Sequence, residues 1–237
     1  MRRDRLITVA TWNIHGCVGS DGAFDPDRTR RVIRAIDPDI LALQEVDSRS
    51  QRNPSVNLFS QLADAFGGHR IEAKILSAKA GHFGQLLLSR WPMHEHRVHD
   101  LSIAGREPRQ ALEAVVEAPA GPLHVFATHL GLRAAERRRQ MAKLLGHVKA
   151  ETHLPCLLMG DLNEWRGRFF AGTALTSLFS GVTAHRTFHA LLPLFALDRI
   201  LCRPAHMLRH SCAWRQIHGA SDHLPVVARI APTHSRH

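Results

Sequence analysis

An acid and an amide stand two residues apart in Gly160-Asp161-Leu162-Asn163-Glu164. The apolar run before them, Leu154-Pro155-Cys156-Leu157-Leu158-Met159, reads as a short buried strand. Side chains alternate across a strand, so Asp161 and Asn163 project to one side if the extended backbone persists past Gly160. A carboxylate beside a carboxamide can hold and deprotonate a water, or bind a hard cation and a phosphate oxygen. The same pentapeptide also suits an Asx turn satisfied by its own backbone. The pattern recurs elsewhere in the chain. Asn13 follows the β-branched run Leu6–Trp12, and Glu45 follows Ile40-Leu41-Ala42-Leu43-Gln44. His129 closes Leu123–Thr128, Asp198 follows the apolar stretch Ala190–Leu197, and Asp222-His223 precedes Leu224–Ile230. Singly, each has a plain alternative: a turn residue, a solvated acid (Asp198 beside Arg199) or a core histidine. Jointly they ask for a fold that gathers strand ends at one place.

The elements that must position these residues follow from periodicity. Strands are expected at Leu6–Trp12, Asp39–Val46, Ile71–Leu76, Gln85–Ser89, Ala111–Glu117, Leu123–Thr128, Leu154–Met159 and Leu224–Ile230. Leu208–Gln216 reads as an edge strand, and His94–Gly105 is too weakly patterned to place. Asp25-Pro26 opens a helix as N-cap and first-turn proline, with Val32, Ile33 and Ile36 on its apolar face. A second helix runs from about Val56 to Phe66 and is closed by Gly67-Gly68. The clearest helix is Ala135–Lys149, with Met141, Leu144, Leu145 and Val148 inward and Arg137-Arg138-Arg139 with Lys143 on the solvated face. Trp165–Gly181 reads as a loop with a short helix, and residues 231–237 as a loose tail. Two sheets packed face to face with helices outside them, in one domain over residues 1–237, fit this order.

Composition narrows the partners. The chain has 237 residues, 44% hydrophobic, and carries 31 Lys+Arg against 21 Asp+Glu, a formal charge of +10. That balance favours an anionic partner: nucleic acid, a phospholipid surface or a phosphorylated small molecule. The four cysteines show no CxxC spacing and no zinc pattern, and Cys156 and Cys202 sit in apolar runs as buried thiols. The apolar stretch after the basic N-terminus is too short for a signal peptide, and no run approaches the ~18 residues of a spanning helix. A soluble, cytoplasmic, monomeric protein is expected.

Thr11-Trp12-Asn13-Ile14-His15-Gly16, Leu43-Gln44-Glu45-Val46, Gly84-Gln85-Leu86-Leu87-Leu88-Ser89-Arg90, Thr128-His129-Leu130, Gly160-Asp161-Leu162-Asn163, Leu197-Asp198-Arg199-Ile200 and Ser221-Asp222-His223-Leu224-Pro225 stand in the order of the endonuclease/exonuclease/phosphatase superfamily, which the chain resembles over nearly its whole length. The resemblance implies a deoxyribonuclease I-like four-layer α/β/β/α sandwich and metal-dependent cleavage of a phosphate ester by in-line water attack. By the same resemblance Glu45 is the principal Mg²⁺ ligand, helped by Asn13 and Asp222, with Mn²⁺ able to substitute. Asp161 orients or deprotonates the water and Asn163 holds it in line. Asp222 or Asp198 pairs with His223 and favours its protonated form, and His129 is a second electrophile or acid. Arg109, and less so Arg106, is the phosphate contact. DNA or RNA is the leading substrate; a phospholipid or small phosphorylated compound is the alternative, and a silent anion-binding module a remote one. Three features depart from the family: Gln85 where Asn is commoner, no acid between Glu72 and Gly84 to brace His129, and no tyrosine anywhere. The chain is also compact, with little length for long DNA-gripping loops.

Overall fold

The structure, a computed structural model, describes residues 6–49, 57–78, 81–150, 153–165 and 174–231. In chain order the elements are β1 (Ile7–Asn13), α1 (Pro26–Ile36), β2 (Ile40–Asp47), α2 (Leu58–Phe66), β3 (His69–Ala78), β4 (Gly81–Ser89), β5 (Met93–Asp100), β6 (Gln110–Ala118), β7 (Gly121–His129), α3 (Ala134–Ala150), β8 (Cys156–Asp161), α4 (Ala174–Leu178), β9 (Gly181–Val182), β10 (Asp198–Arg203), β11 (Leu208–Ala213) and β12 (Val226–Ile230). They form two six-stranded sheets, ordered β11-β12-β1-β2-β4-β3 and β5-β6-β7-β8-β10-β9. Each sheet is mostly antiparallel but has one parallel pair near its middle, β1 with β2 and β7 with β8. The intervening helices α1 and α3 supply the crossovers that parallel pairing needs.

The strands read as unbroken apolar runs because both faces are covered. In β2, Ile40 and Ala42 face the space between the sheets, where they meet Leu112, Val125 and Ile200. Leu41 and Leu43 face the other way, against Val32, Phe59 and Leu62 beside α1 and α2. On the far side Phe126 and Leu158 pack under Met141, Leu144 and Val148 of α3. The result is the expected α/β/β/α sandwich. Asp25 caps α1 by accepting from the Arg28 N–H at 2.9 Å, Pro26 follows it, and Gly67 closes α2 in a left-handed conformation.

Several boundaries differ from the periodicity. β5 is a strand where no pattern was readable: it is the outer edge of its sheet, exposed at His94–Val98 and bulged, so no inward face imposes alternation. α2 starts at Leu58 behind an Asn57 cap, while Val56 lies outside the described residues. β12 begins at Val226, because Pro225 has no N–H for the ladder. Arg137 is not on the solvated face of α3. It is buried, donating to the Leu132 carbonyl at 2.5 Å and lying 3.4 Å from Glu164. Ala231 is buried and bonded to Met207, and the rest of the expected tail, like most of the loop after Trp165, lies outside the described residues. Among the described residues no helix is long and apolar enough to cross a membrane.

Candidate active site

Pairing register places three of the reactive residues side by side. His129 at the end of β7 faces Asp161 at the end of parallel β8, and Asp161 faces Asp198 at the start of antiparallel β10. A strand end and an antiparallel strand start share one edge of a sheet, so the three lie in a row. Gly160 allows β7 and β8 to meet there: its φ is +148°, and a Cβ on it would lie 1.8 Å from the Thr128 carbonyl oxygen.

The facing sheet brings Asn13 and Glu45 to the same end. Strict alternation would turn Glu45 toward the α1/α2 layer, where Leu43 points. The β2–β4 register slips between Leu43 and Val46, and Glu45 takes a positive φ of 55°. Leu43 and Val46, three apart, both pack in the helix-side core, so the bulge frees Glu45 to line the cleft instead. Asn13 then donates to Glu45 Oε1 at 2.8 Å and to Asp161 Oδ2 at 3.1 Å, joining the two sheets, while its own Oδ1 accepts from the His15 N–H at 3.1 Å.

Asp161 Oδ1 accepts the Asn163 N–H at 2.9 Å, with Asn163 in a left-handed conformation at φ 51°. The Asn163 amide donates to the Leu130 carbonyl at 2.8 Å and to His129 Nε2 at 3.1 Å. The brace for His129 that no upstream acid offered is therefore Asn163, with Asp161 Oδ2 3.6 Å away. Burial depresses His129 to about 3, and the attraction of Asp161 does not overcome it, so the ring is neutral.

His223 is held in the opposite state. Its Nδ1 lies 2.8 Å from Asp198 Oδ2, a carboxylate with no exposed surface that also accepts from the Thr187 hydroxyl at 2.5 Å. Burial opposes the charge on the ring, but Asp198, by charge and hydrogen bond, and then Asp161 and Asp222 outweigh it and lift His223 to about 10. Of the two acids considered as its partner, Asp198 makes the contact. Asp222 instead sits partly exposed at the cleft wall, 3.7 Å from His15 Nδ1. The Ser221–His223 loop is pinned to β1: Ser221 Oγ donates to the Asn13 carbonyl at 2.8 Å, and Trp12 Nε1 to the His223 carbonyl at 3.0 Å.

These groups open into a cleft of about 640 Å³. Arg109 lines it and is buried, pairing through Nη2 with Glu107 at 2.9 Å, while Nε and Nη1 have no hydrogen-bond partner among the described residues. Arg106 is exposed and does not reach the cleft. Every other predicted site residue converges on it or on a residue that lines it. Thr187, which fixes Asp198, and Arg49, which lines the cleft and pairs with Asp47 at 2.9 Å, were not anticipated. Neither carries a signal in the sequence, since a Thr and an Arg in loops or at strand ends are common.

Two stacked sheets with acids, amides and imidazoles clustered at one end define the deoxyribonuclease I-like class. The chain belongs to the Endonuclease/Exonuclease/phosphatase family, whose sequence pattern matches residues 10–223, and is thereby a phosphoesterase-type hydrolase. It is 30% identical to the uncharacterised Escherichia coli protein YbhP over 94% of this chain and 95% of that one. Among solved structures it resembles the endonuclease/exonuclease/phosphatase from Beutenbergia cavernae, with a TM-score of 0.81, 24% identity, and coverage of 97% of this chain and 72% of that one. It also resembles a mannosyl-6-phosphatase from Bacteroides thetaiotaomicron, with a TM-score of 0.71, 17% identity, and coverage of 94% and 98%.

Proposed function

We propose that the chain is a divalent-metal-dependent hydrolase of phosphate esters, built in one catalytic domain. One observation carries this reading. Asp161 Oδ2 lies 3.1 Å from the Asn13 amide, 3.6 Å from His129 Nε2 and 3.8 Å from His223 Nε2, a single carboxylate oxygen where groups from both sheets meet.

The residues fit a hard cation at Glu45. Burial pushes its pKa above the ordinary carboxylate range, the Asn13 N–H offsets part of that, and nearby Asp161 adds to it. A half-buried anion beside a second anion is the environment that a cation relieves. Oxygen donors from Glu45 and Asp222 suit Mg²⁺ or Mn²⁺. When bound there, the cation supplies neutralisation of charge on the phosphate and its leaving oxygen. Asn13 is the amide that holds the two carboxylates together, and its carbonyl oxygen, which accepts one hydrogen bond from His15, keeps a second lone pair for the cation. Asp161, Asp198 and His223 also offer ligand atoms within 4.8 Å of one another. Asp198 and His223 are already each other's hydrogen-bond partners, so we keep them as a charge pair.

Asp161 orients the attacking water and takes its proton. Cationic His223 donates from Nε2 to a phosphate oxygen, its ring fixed by Asp198. Neutral His129 is a positioning residue for the Asn163 amide, not a proton donor. Arg109, which lines the cleft, contacts the phosphate. Nucleic-acid phosphodiesters are the first substrate class on charge. Lipid-borne or small phosphate esters are the second, favoured by exposed Leu132 at the cleft mouth and by the exposed leucines of the loop that leaves the cleft wall at Phe188. The test is Mg²⁺-dependent hydrolysis of plasmid DNA, bis-p-nitrophenyl phosphate and p-nitrophenyl phosphate in parallel, with Asp161→Ala as control. Turnover of none of them, or full turnover by the variant, would overturn the reading.

A further inference from the structure

The loop from Phe188 to Phe195 carries apolar side chains into solvent. Leu191 is 71% exposed, Leu192 69% and Leu194 54%. Three leucines in four positions would normally be buried, and contiguous exposed apolar surface on a soluble chain marks an interaction site. A slack loop could fold back to hide them. This one is clamped at its base: Phe188 and Phe195 exchange backbone hydrogen bonds of 3.1 and 3.0 Å, and Thr187 N–H also reaches the Phe195 carbonyl at 2.8 Å. The leucines are therefore held out by the backbone.

The loop is also fixed to the candidate site. The Ala190 N–H donates to the Asp222 carbonyl at 2.6 Å, and the Phe188 ring packs on His223 at 4.8 Å between centroids. Trp165, 37% exposed, closes the same wall, 4.9 Å from Phe195 and 5.4 Å from Phe188. At another point of the mouth Leu132 is 66% exposed. Each apolar point has a basic neighbour, Arg133 after Leu132 and Arg186 before the loop, both exposed. Leucine tips, an amphipathic tryptophan at the rim and flanking arginines are what an anionic bilayer surface binds: apolar groups enter the acyl boundary and guanidinium groups meet the headgroups.

We infer that the leucine-bearing loop beside the cleft, together with Leu132 at its mouth, docks on an anionic phospholipid bilayer, so that the site faces phosphate esters at the bilayer surface. The substrate part of this inference rests on the hydrolase reading above; the docking part does not. A formal charge of +10 supports the choice of an anionic surface.

The experiment is co-sedimentation of the full chain with vesicles of equal parts phosphatidylcholine and phosphatidylglycerol, in chelator so that turnover plays no role. Vesicles of phosphatidylcholine alone are the charge control. The native chain should bind, more tightly to the anionic vesicles. Leu191→Ser/Leu192→Ser should weaken binding at least about tenfold, because each change removes the transfer of a leucine side chain from water. The same variant should keep its melting temperature and its hydrolysis of bis-p-nitrophenyl phosphate, while Leu191→Phe/Leu192→Phe should retain vesicle binding. Absence of native binding, or equal binding by the serine variant, would overturn the inference. Native self-association in lipid-free ultracentrifugation that the serine variant abolishes, without vesicle binding, would assign the patch to a second copy and overturn it too. Vesicle binding with no phosphoester turnover would uphold the docking and overturn only the hydrolase reading.

Discussion

Asp198→Asn keeps the shape of the side chain and removes its charge. In the native protein Asp198 is the principal reason His223 is lifted from 6.5 to about 10 against the cost of burial. That displacement is worth on the order of 5 kcal/mol of preference for the charged ring. With Asp198 neutral, burial faces only Asp161 and Asp222, and the His223 pKa should fall by at least about 2. The assay is an imidazole ¹⁵N NMR titration, with the resonance assigned by His223→Gln. Native His223 should stay cationic through about pH 9, and in Asp198→Asn it should lose its proton well below that. Stability gives a second reading. A histidine raised on folding stabilises fully below its unfolded pKa and loses that contribution as pH rises through its folded one. Native urea stability should therefore decline from pH 6.5 toward about 10, and the decline should flatten in the variant. A native His223 that titrates near 6.5, or one unmoved by Asp198→Asn, would refute the reasoning.

Glu45→Gln should raise the Mg²⁺ concentration for half-maximal activity at least about tenfold; removing a half-buried anion should also raise the metal-free melting temperature while abolishing its increase with Mg²⁺, both read by calorimetry. Gly160→Ala puts a Cβ 1.8 Å from the Thr128 carbonyl oxygen at a positive φ and should cost about 2 kcal/mol or more in urea unfolding, with loss of turnover. Arg109→Ala should lower kcat/KM about 10- to 1,000-fold, through the lost phosphate contact, and unchanged kinetics would remove Arg109 from the site.

The sheets were legible because their strands are buried on both faces and announce themselves as runs such as Ile40–Leu43. The gathering of Asn13, His129, Asp161, Asp198 and His223 was legible because each stands at the end of an apolar run or, for His223, just before one. What stayed hidden depends on partners distant in the chain. The bulge that aims Glu45 is set by register against β4, and no local signal shows it. Whether Asp198 or Asp222 holds His223 depends on β10 lying beside β8. The basic run of α3 looks uniform, yet Arg137 turns inward to the Leu132 carbonyl and Glu164, while Arg138 and Arg139 stay exposed. The apolar stretch Ala190–Leu197 divides: Leu197 is buried, while Leu191, Leu192 and Leu194 stand in solvent.

The pinning of the Ser221–His223 loop to β1 has a consequence for synthesis. Ser221 reaches Asn13 across 208 residues, and His223 reaches Trp12 across 211. Such contacts close loops nearly as long as those of the β1–β12 pairs, and they form late, since their entropy must be met before they reward folding. A ribosome-bound chain lacking residues 221–230 can bring His129 to Asp161, but it has no His223 and leaves the β1 edge unpaired where β12 belongs. Assembly of the site should therefore be completed only once residues 221–230 have emerged and paired with β1.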